Sequence, residues 1–179
     1  MNVDGIFLAT NSAFTVLQQQ PYEREDILQR ALAEHPEVLA GPTTAGTESG
    51  RLLRGRRAMG VPSAEGVGAT WSLDHLFLDR EGVPVIVEVK RSSDTRIRRE
   101  VVGQMLDYAA NGVRYWPISD LRKALETTAA AANRTSEDLI NELQDGVDPE
   151  EFWQAVESNL RAGRIRMVFV ADELPPELV

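Results

Sequence analysis

Residues 70–90 read TWSLDHLFLDREGVPVIVEVK, two apolar, β-rich runs (Thr70 to Leu78 and Val83 to Lys90) on either side of Asp79-Arg80-Glu81-Gly82. A three-residue hairpin loop commonly joins a type I turn to a residue at positive φ, a place glycine fills best. Taking Arg80-Glu81-Gly82 as that loop pairs Asp79 with Val83, which sets Asp74 opposite Glu88 and Ser72 opposite Lys90. Directly opposed residues bring their Cβ atoms to about 4.5–5.5 Å. Alternation puts Glu88 and Lys90 on one face, with Asp74 on that face of the neighbouring strand. A slip of one residue sends Asp74 to the other side, so the arrangement depends on the register. Both hairpin faces are apolar, with Trp71, Leu73 and Phe77 on one and Leu76, Leu78 and Ile86 on the other, as a sheet covered on both sides requires.

Two facing carboxylates inside an apolar sheet repel each other, and burial disfavours their charged forms further. A hard cation such as Mg²⁺ or Mn²⁺ resolves this, since it takes oxygen ligands and keeps several waters. Asp74 and Glu88, helped by the Val89 carbonyl, are the candidate ligands, with the Lys90 ammonium at the mouth. Glu-Val-Lys alone would equally suit an exposed cross-strand ion pair. The hairpin register and the segment that follows favour the buried alternative.

That segment supplies N-cap candidates in Ser92-Ser93-Asp94 and predicts a helix from about Thr95 to Ala110, ended by Asn111-Gly112. Ile97, Val101, Met105 and Ala109 form its buried stripe, and Glu100, Gln104 and Tyr108 share an adjacent face at i, i+4, i+8.

An acid, then acid-x-lysine on a strand, then a Gln-x-x-x-Tyr helix resembles the active-site signature of the PD-(D/E)XK nuclease superfamily in its RecB-like branch. The resemblance runs from about Tyr22 to Ala171 and is closest to bacterial domains related to the NucS and RecB nucleases. It implies an α/β fold with a restriction-endonuclease-like αβββαβ core and a helical insertion before the last strand. It also implies metal-dependent hydrolysis of DNA phosphodiester bonds, in which the cation acidifies a water and stabilises charge on the phosphate. Lys90 would assist that water, Gln104 would contact it or a phosphate oxygen, and Tyr108 would support Gln104. The family's first-helix acid maps best onto Glu25, ahead of Glu23. Ser72-Leu73 stands before Asp74 where the family pattern carries a proline. Many relatives work as homodimers. Two rival readings compete: a catalytically silent nucleic-acid- or protein-binding module, and a nuclease subunit that works only with a missing partner or domain.

The net charge of −9 conceals a local basic zone. Residues 41–112 carry ten basic and nine acidic side chains, whereas residues 1–40 sum to −4 and residues 134–179 to −7. Arg51, Arg54, Arg56 and Arg57 form one cluster; Lys90, Arg91, Arg96, Arg98 and Arg99 form another directly after the proposed active strand. Arg91, Arg96, Arg98 and Arg99 are therefore the candidate phosphate contacts, since a basic cleft in an acidic body binds phosphate locally.

The 179 residues suffice for one domain with a real core. With no cysteine, disulfides and thiolate zinc sites are excluded. No apolar run approaches the length of a membrane span and no signal peptide opens the chain, so a cytoplasmic protein is expected.

Residues 1–21 read as an N-terminal extension, with Ile6-Phe7-Leu8 a short strand and a break at Gln18-Gln19-Gln20-Pro21. Tyr22 to Glu34 reads as an amphipathic helix with Ile27, Leu28, Ala31 and Leu32 inward, stopped by His35-Pro36. Arg51 to Met59 is a first strand. Residues 22–174 make the nuclease-like domain, with the insertion over about 113–163 in three helices: Ile118 to Ala132, Ser136 to Gln144 and Pro149 to Ala162. Asp148-Pro149 is a good cap and first-position pair. Arg164 to Val170 is the last strand, and residues 175–179 read as the start of a further element, as in an N-terminal fragment. Alternation turns His75 away from Asp74, as a core or edge histidine, and Tyr115-Trp116-Pro117 suits packing a loop onto the core better than stacking a splayed base.

Overall fold

A computed structural model describes residues 6–10, 13–17, 22–40, 52–63, 68–91 and 100–173 of the chain. The first elements are a hairpin of β1 (Ile6–Thr10) and β2 (Ala13–Leu17), antiparallel, with Ile6 opposite Leu17. The sequence reading foresaw the first strand but not its partner. Helix α1 (Glu25–Glu34) begins three residues later than the amphipathic pattern suggested, because Arg24 is extended; Glu25 and Asp26 then place negative charge at its start. Leu28 and Leu32 are its buried residues, while Ile27 and Ala31 are exposed. A short 3₁₀ turn, Pro36–Ala40, follows.

The main sheet has four strands in the order β3-β4-β5-β6: β3 (Leu52–Pro62), β4 (Ala69–Asp79), β5 (Pro84–Lys90) and β6 (Arg166–Ala171). The first two contacts are antiparallel and β5–β6 is parallel, which makes a mixed sheet. Between β5 and β6 lie α2 (Val102–Tyr115), α3 (Ile118–Ala131), α4 (Ser136–Leu143) and α5 (Pro149–Arg161).

The β4–β5 register is the one deduced from the loop as far as the ladder runs: His75 pairs with Val87, Leu76 with Ile86, Phe77 with Val85 and Leu78 with Pro84, and the expected pairs Asp74–Glu88 and Ser72–Lys90 are not part of it. The Asp79 N–H donates to the Val83 carbonyl at 3.1 Å, and Gly82 takes φ 72°. The Asp79 carboxylate accepts from the N–H groups of Glu81 and Val83, at 3.1 and 2.7 Å, and Asn159 of α5 donates to the Glu81 carbonyl at 2.9 Å. The turn that sets the register is thus bolted to the helical layer.

Two apolar layers sandwich the sheet. Phe77, Val85, Val87 and Val89 pack with Leu28 and Leu32 of α1. Leu76, Leu78 and Ile86 pack with α2–α5 through Met105, Leu121, Leu125 and Val156. Leu73 joins this second layer instead of the Phe77 side expected from strict alternation. Beyond His75, β4 pairs only with β3 among the described residues. His75 is fully buried and stacked on Phe77.

Helix α2 continues through Asn111-Gly112 and stops at Tyr115, before Trp116-Pro117. Gly112 is a packing residue: a Cβ there would meet the Trp116 ring at 2.7 Å, and the indole N–H donates to the Gly60 carbonyl at 2.8 Å. Trp116 is buried and carries the packing role expected of its loop. Helix α4 is capped by Thr135, which forms a capping box with Asp138. Asp148 caps α5, with Pro149 at its first position. No helix among the described residues is long and apolar enough to cross a membrane.

Candidate active site

The β4–β5 ladder ends at His75 and Val87, and Asp74 and Glu88 are the next residues on the two strands. In place of a further rung, the Asp74 carboxylate accepts the Val89 N–H at 2.8 Å through one oxygen. Its other oxygen accepts from the Gln29 side-chain amide of α1, also at 2.8 Å. Glu88 is 3% exposed and its Oε1 lies 2.8 Å from the Lys90 ammonium. Its Oε2 is buried without a hydrogen-bond partner among the described residues.

The electrostatics follow from this crowding. Burial pushes the Glu88 carboxyl up; the hydrogen bond from Lys90 pulls it down, and the Asp74 and Glu25 charges add to the upward push. Burial alone would lower Lys90, but its hydrogen bond to Glu88 and the surrounding carboxylates outweigh this and hold its pKa above the ordinary lysine value. The site therefore carries a persistent ammonium next to a carboxyl that resists ionisation.

Helix α1 supplies a second acid. Glu25 accepts the Arg91 N–H at 3.4 Å, and its charge is felt by both Glu88 and Lys90. From α2, Gln104 donates to the Tyr108 hydroxyl, which in turn donates to the Ser72 carbonyl at 3.3 Å. Burial raises the Tyr108 pKa, as do the Glu88 and Asp74 charges, while the Gln104 hydrogen bond lowers it.

The structure thus gathers Glu25, Asp74, Glu88, Lys90, Gln104 and Tyr108 at one end of the sheet, with Val89 and Arg91 alongside. Glu100 is exposed on the first turn before α2. Arg96, Arg98 and Arg99 lie outside the described residues, as do Arg51 and the side chains of Arg54, Arg56 and Arg57. Gln29 is the residue that sequence reasoning missed. Its signal was its place one turn after Glu25 on the same helix face, obscured by reading α1 for its apolar positions alone.

Among the described residues no three His, Cys, Asp or Glu side chains group as a metal cage. The donor set to weigh is therefore Asp74, Glu88 and a main-chain carbonyl. Its chemistry suits an oxygen-seeking divalent cation, and the unpartnered Glu88 Oε2 is the atom such an ion would satisfy.

No family model, curated protein or solved structure matches the chain.

Proposed function

We propose that this chain is a divalent-metal-dependent nuclease that hydrolyses DNA phosphodiester bonds on a restriction-endonuclease-like core. Its element order supports the reading: a helix, three strands, a helix, inserted helices and a final strand parallel to the third. The observation that carries it is Glu88, almost wholly buried, with one oxygen on Lys90 and the other unsatisfied. A carboxylate kept in that position costs stability, and pKa-perturbed groups of this kind concentrate at functional sites.

Asp74, Glu88 and the Val89 carbonyl hold Mg²⁺ or Mn²⁺, which when bound supplies an acidified water and charge stabilisation on the phosphate. Gln29 and the Val89 N–H fix the Asp74 rotamer. Lys90 keeps its proton at Nζ, orients the attacking water and offers positive charge to the phosphate oxygens. Gln104, held by Tyr108, donates toward the same water or a phosphate oxygen. Glu25 steadies the main chain at Arg91, whose guanidinium binds the DNA backbone.

The test is calorimetric titration of Mn²⁺ into the wild type and Glu88→Gln, followed by labelled single- and double-stranded DNA. Binding lost in Glu88→Gln together with wild-type cleavage supports the reading. Wild-type protein that neither binds Mn²⁺ nor cuts DNA sinks it, and Mn²⁺ binding without cleavage points to a subunit that needs a partner.

A further inference from the structure

Trp71 lies three residues before Asp74 on β4 and is 37% exposed. There, among the described residues, β4 no longer pairs with β5 and pairs only with β3, Trp71 opposite Val61. One side of the indole is supported by Tyr108, ring centroids 6.4 Å apart and tilted by 49°. Tyr108 is also the residue tied to Gln104 and to the Ser72 carbonyl, and it senses the charges of Glu88, Asp74 and Lys90. A large apolar ring is therefore held partly in solvent, one aromatic contact from the reacting groups. Arg91 directly follows Lys90, and its Nε is buried with no hydrogen-bond partner among the described residues, a charged donor that suits a phosphate.

We propose that Trp71 is a stacking subsite for an unpaired base of the strand that enters the Asp74–Glu88–Lys90 site, which makes single-stranded DNA the preferred substrate. The inference rests on the nuclease reading above. Bases in a duplex are already stacked on one another, so an indole at the site's edge reaches a base face only where the strand is open. Phosphate contacts such as that of Arg91 position a strand without choosing between open and paired forms. The aromatic platform makes the choice.

Trp116 and Trp153 are 7% and 5% exposed, so quenching of intrinsic fluorescence by DNA reports Trp71. Without divalent metal, the wild type is titrated with a thymidine oligonucleotide and with a blunt duplex of equal length, alongside Trp71→Leu and Trp71→Phe. The expected result is quenching by the single strand and a single-strand-over-duplex affinity ratio that falls about ten-fold in Trp71→Leu, with much of it kept in Trp71→Phe. An unchanged ratio in Trp71→Leu, or no quenching on binding, overturns the proposal. Near-ultraviolet circular dichroism of both variants checks that the fold is intact. Cleavage of the same DNAs with Mn²⁺ is scored separately. A wild type that binds through Trp71 but cuts neither DNA fails the nuclease reading alone; one that cuts both with a ratio insensitive to Trp71 fails the stacking subsite alone.

Discussion

Gln29 on α1 donates a 2.8 Å hydrogen bond to Asp74 on β4, joining a helix that covers one face of the sheet to a carboxylate at the sheet's open end. Partners that orient a metal ligand typically contribute 10–100-fold to metal affinity. Gln29→Met keeps the length and helix propensity of the side chain and removes the donor. Mn²⁺ affinity is expected to fall at least about ten-fold by calorimetry, with the unfolding midpoint little changed. Equal affinities would remove Gln29 from the site.

Glu88 gives two pH dependences of opposite sign. Its carboxyl is raised above the ordinary glutamate range, chiefly by burial. Mn²⁺ requires the ionised form, so affinity is expected to fall on acidification, beginning above the ordinary carboxylate range. Stability runs the other way. Over that window the folded state binds the proton more tightly than the unfolded chain, so resistance to urea rises as pH falls through the raised pKa. Glu88→Gln should flatten the Glu88 part of the stability curve and abolish metal binding. The raised Lys90 pKa contributes stability lost only at alkaline pH, outside this window.

Lys90→Ala should bind Mn²⁺ yet cut DNA about 10²–10³-fold more slowly, the usual range for removal of one charge-stabilising donor. Because Lys90 also pulls the Glu88 carboxyl down, its removal should move the acid limb of metal binding to higher pH. Unaltered turnover in a contaminant-free preparation would favour a silent binding module.

Gly82→Ala and Gly112→Ala probe two different constraints. At Gly82, φ is +72° and a Cβ would lie 2.9 Å from the Val156 nitrogen, so a loss of more than about 1 kcal/mol is expected in urea unfolding. At Gly112 a Cβ would press on the Trp116 ring at 2.7 Å. Overpacking of about 1–3 kcal/mol should outweigh the roughly 1 kcal/mol that alanine gains over glycine in a helix. A stabilised Gly112→Ala would show that Trp116 yields.

The hairpin was legible because one loop determined it: Gly82 at its third position fixed the pairing of His75 with Val87, where the ladder ends, one residue before Asp74 and Glu88. The final strand and the inserted helices were legible from their apolar periodicity and from Asp148-Pro149. Three things were hidden, each for a physical reason. The end of α2 was set by Trp116-Pro117, since Gly112 serves ring packing instead of a turn. The α4 cap lay at Thr135 because its partner Asp138 sits at the third helical position. Gln29 stayed hidden because its contact with Asp74 spans forty-five residues, so its place one turn after Glu25 did not by itself name the partner.

The parallel pairing of β6 with β5 sets an order of events during synthesis. Glu88 meets its neighbour Phe169 only after α2–α5 have been made, so the sheet stays one strand short until nearly the whole described chain has left the ribosome. Contacts this distant in sequence slow folding. Until then the outer edge of β5, ending in Glu88 and Lys90, is open to pairing with another chain, which makes the interval before β6 arrives the period of greatest aggregation risk.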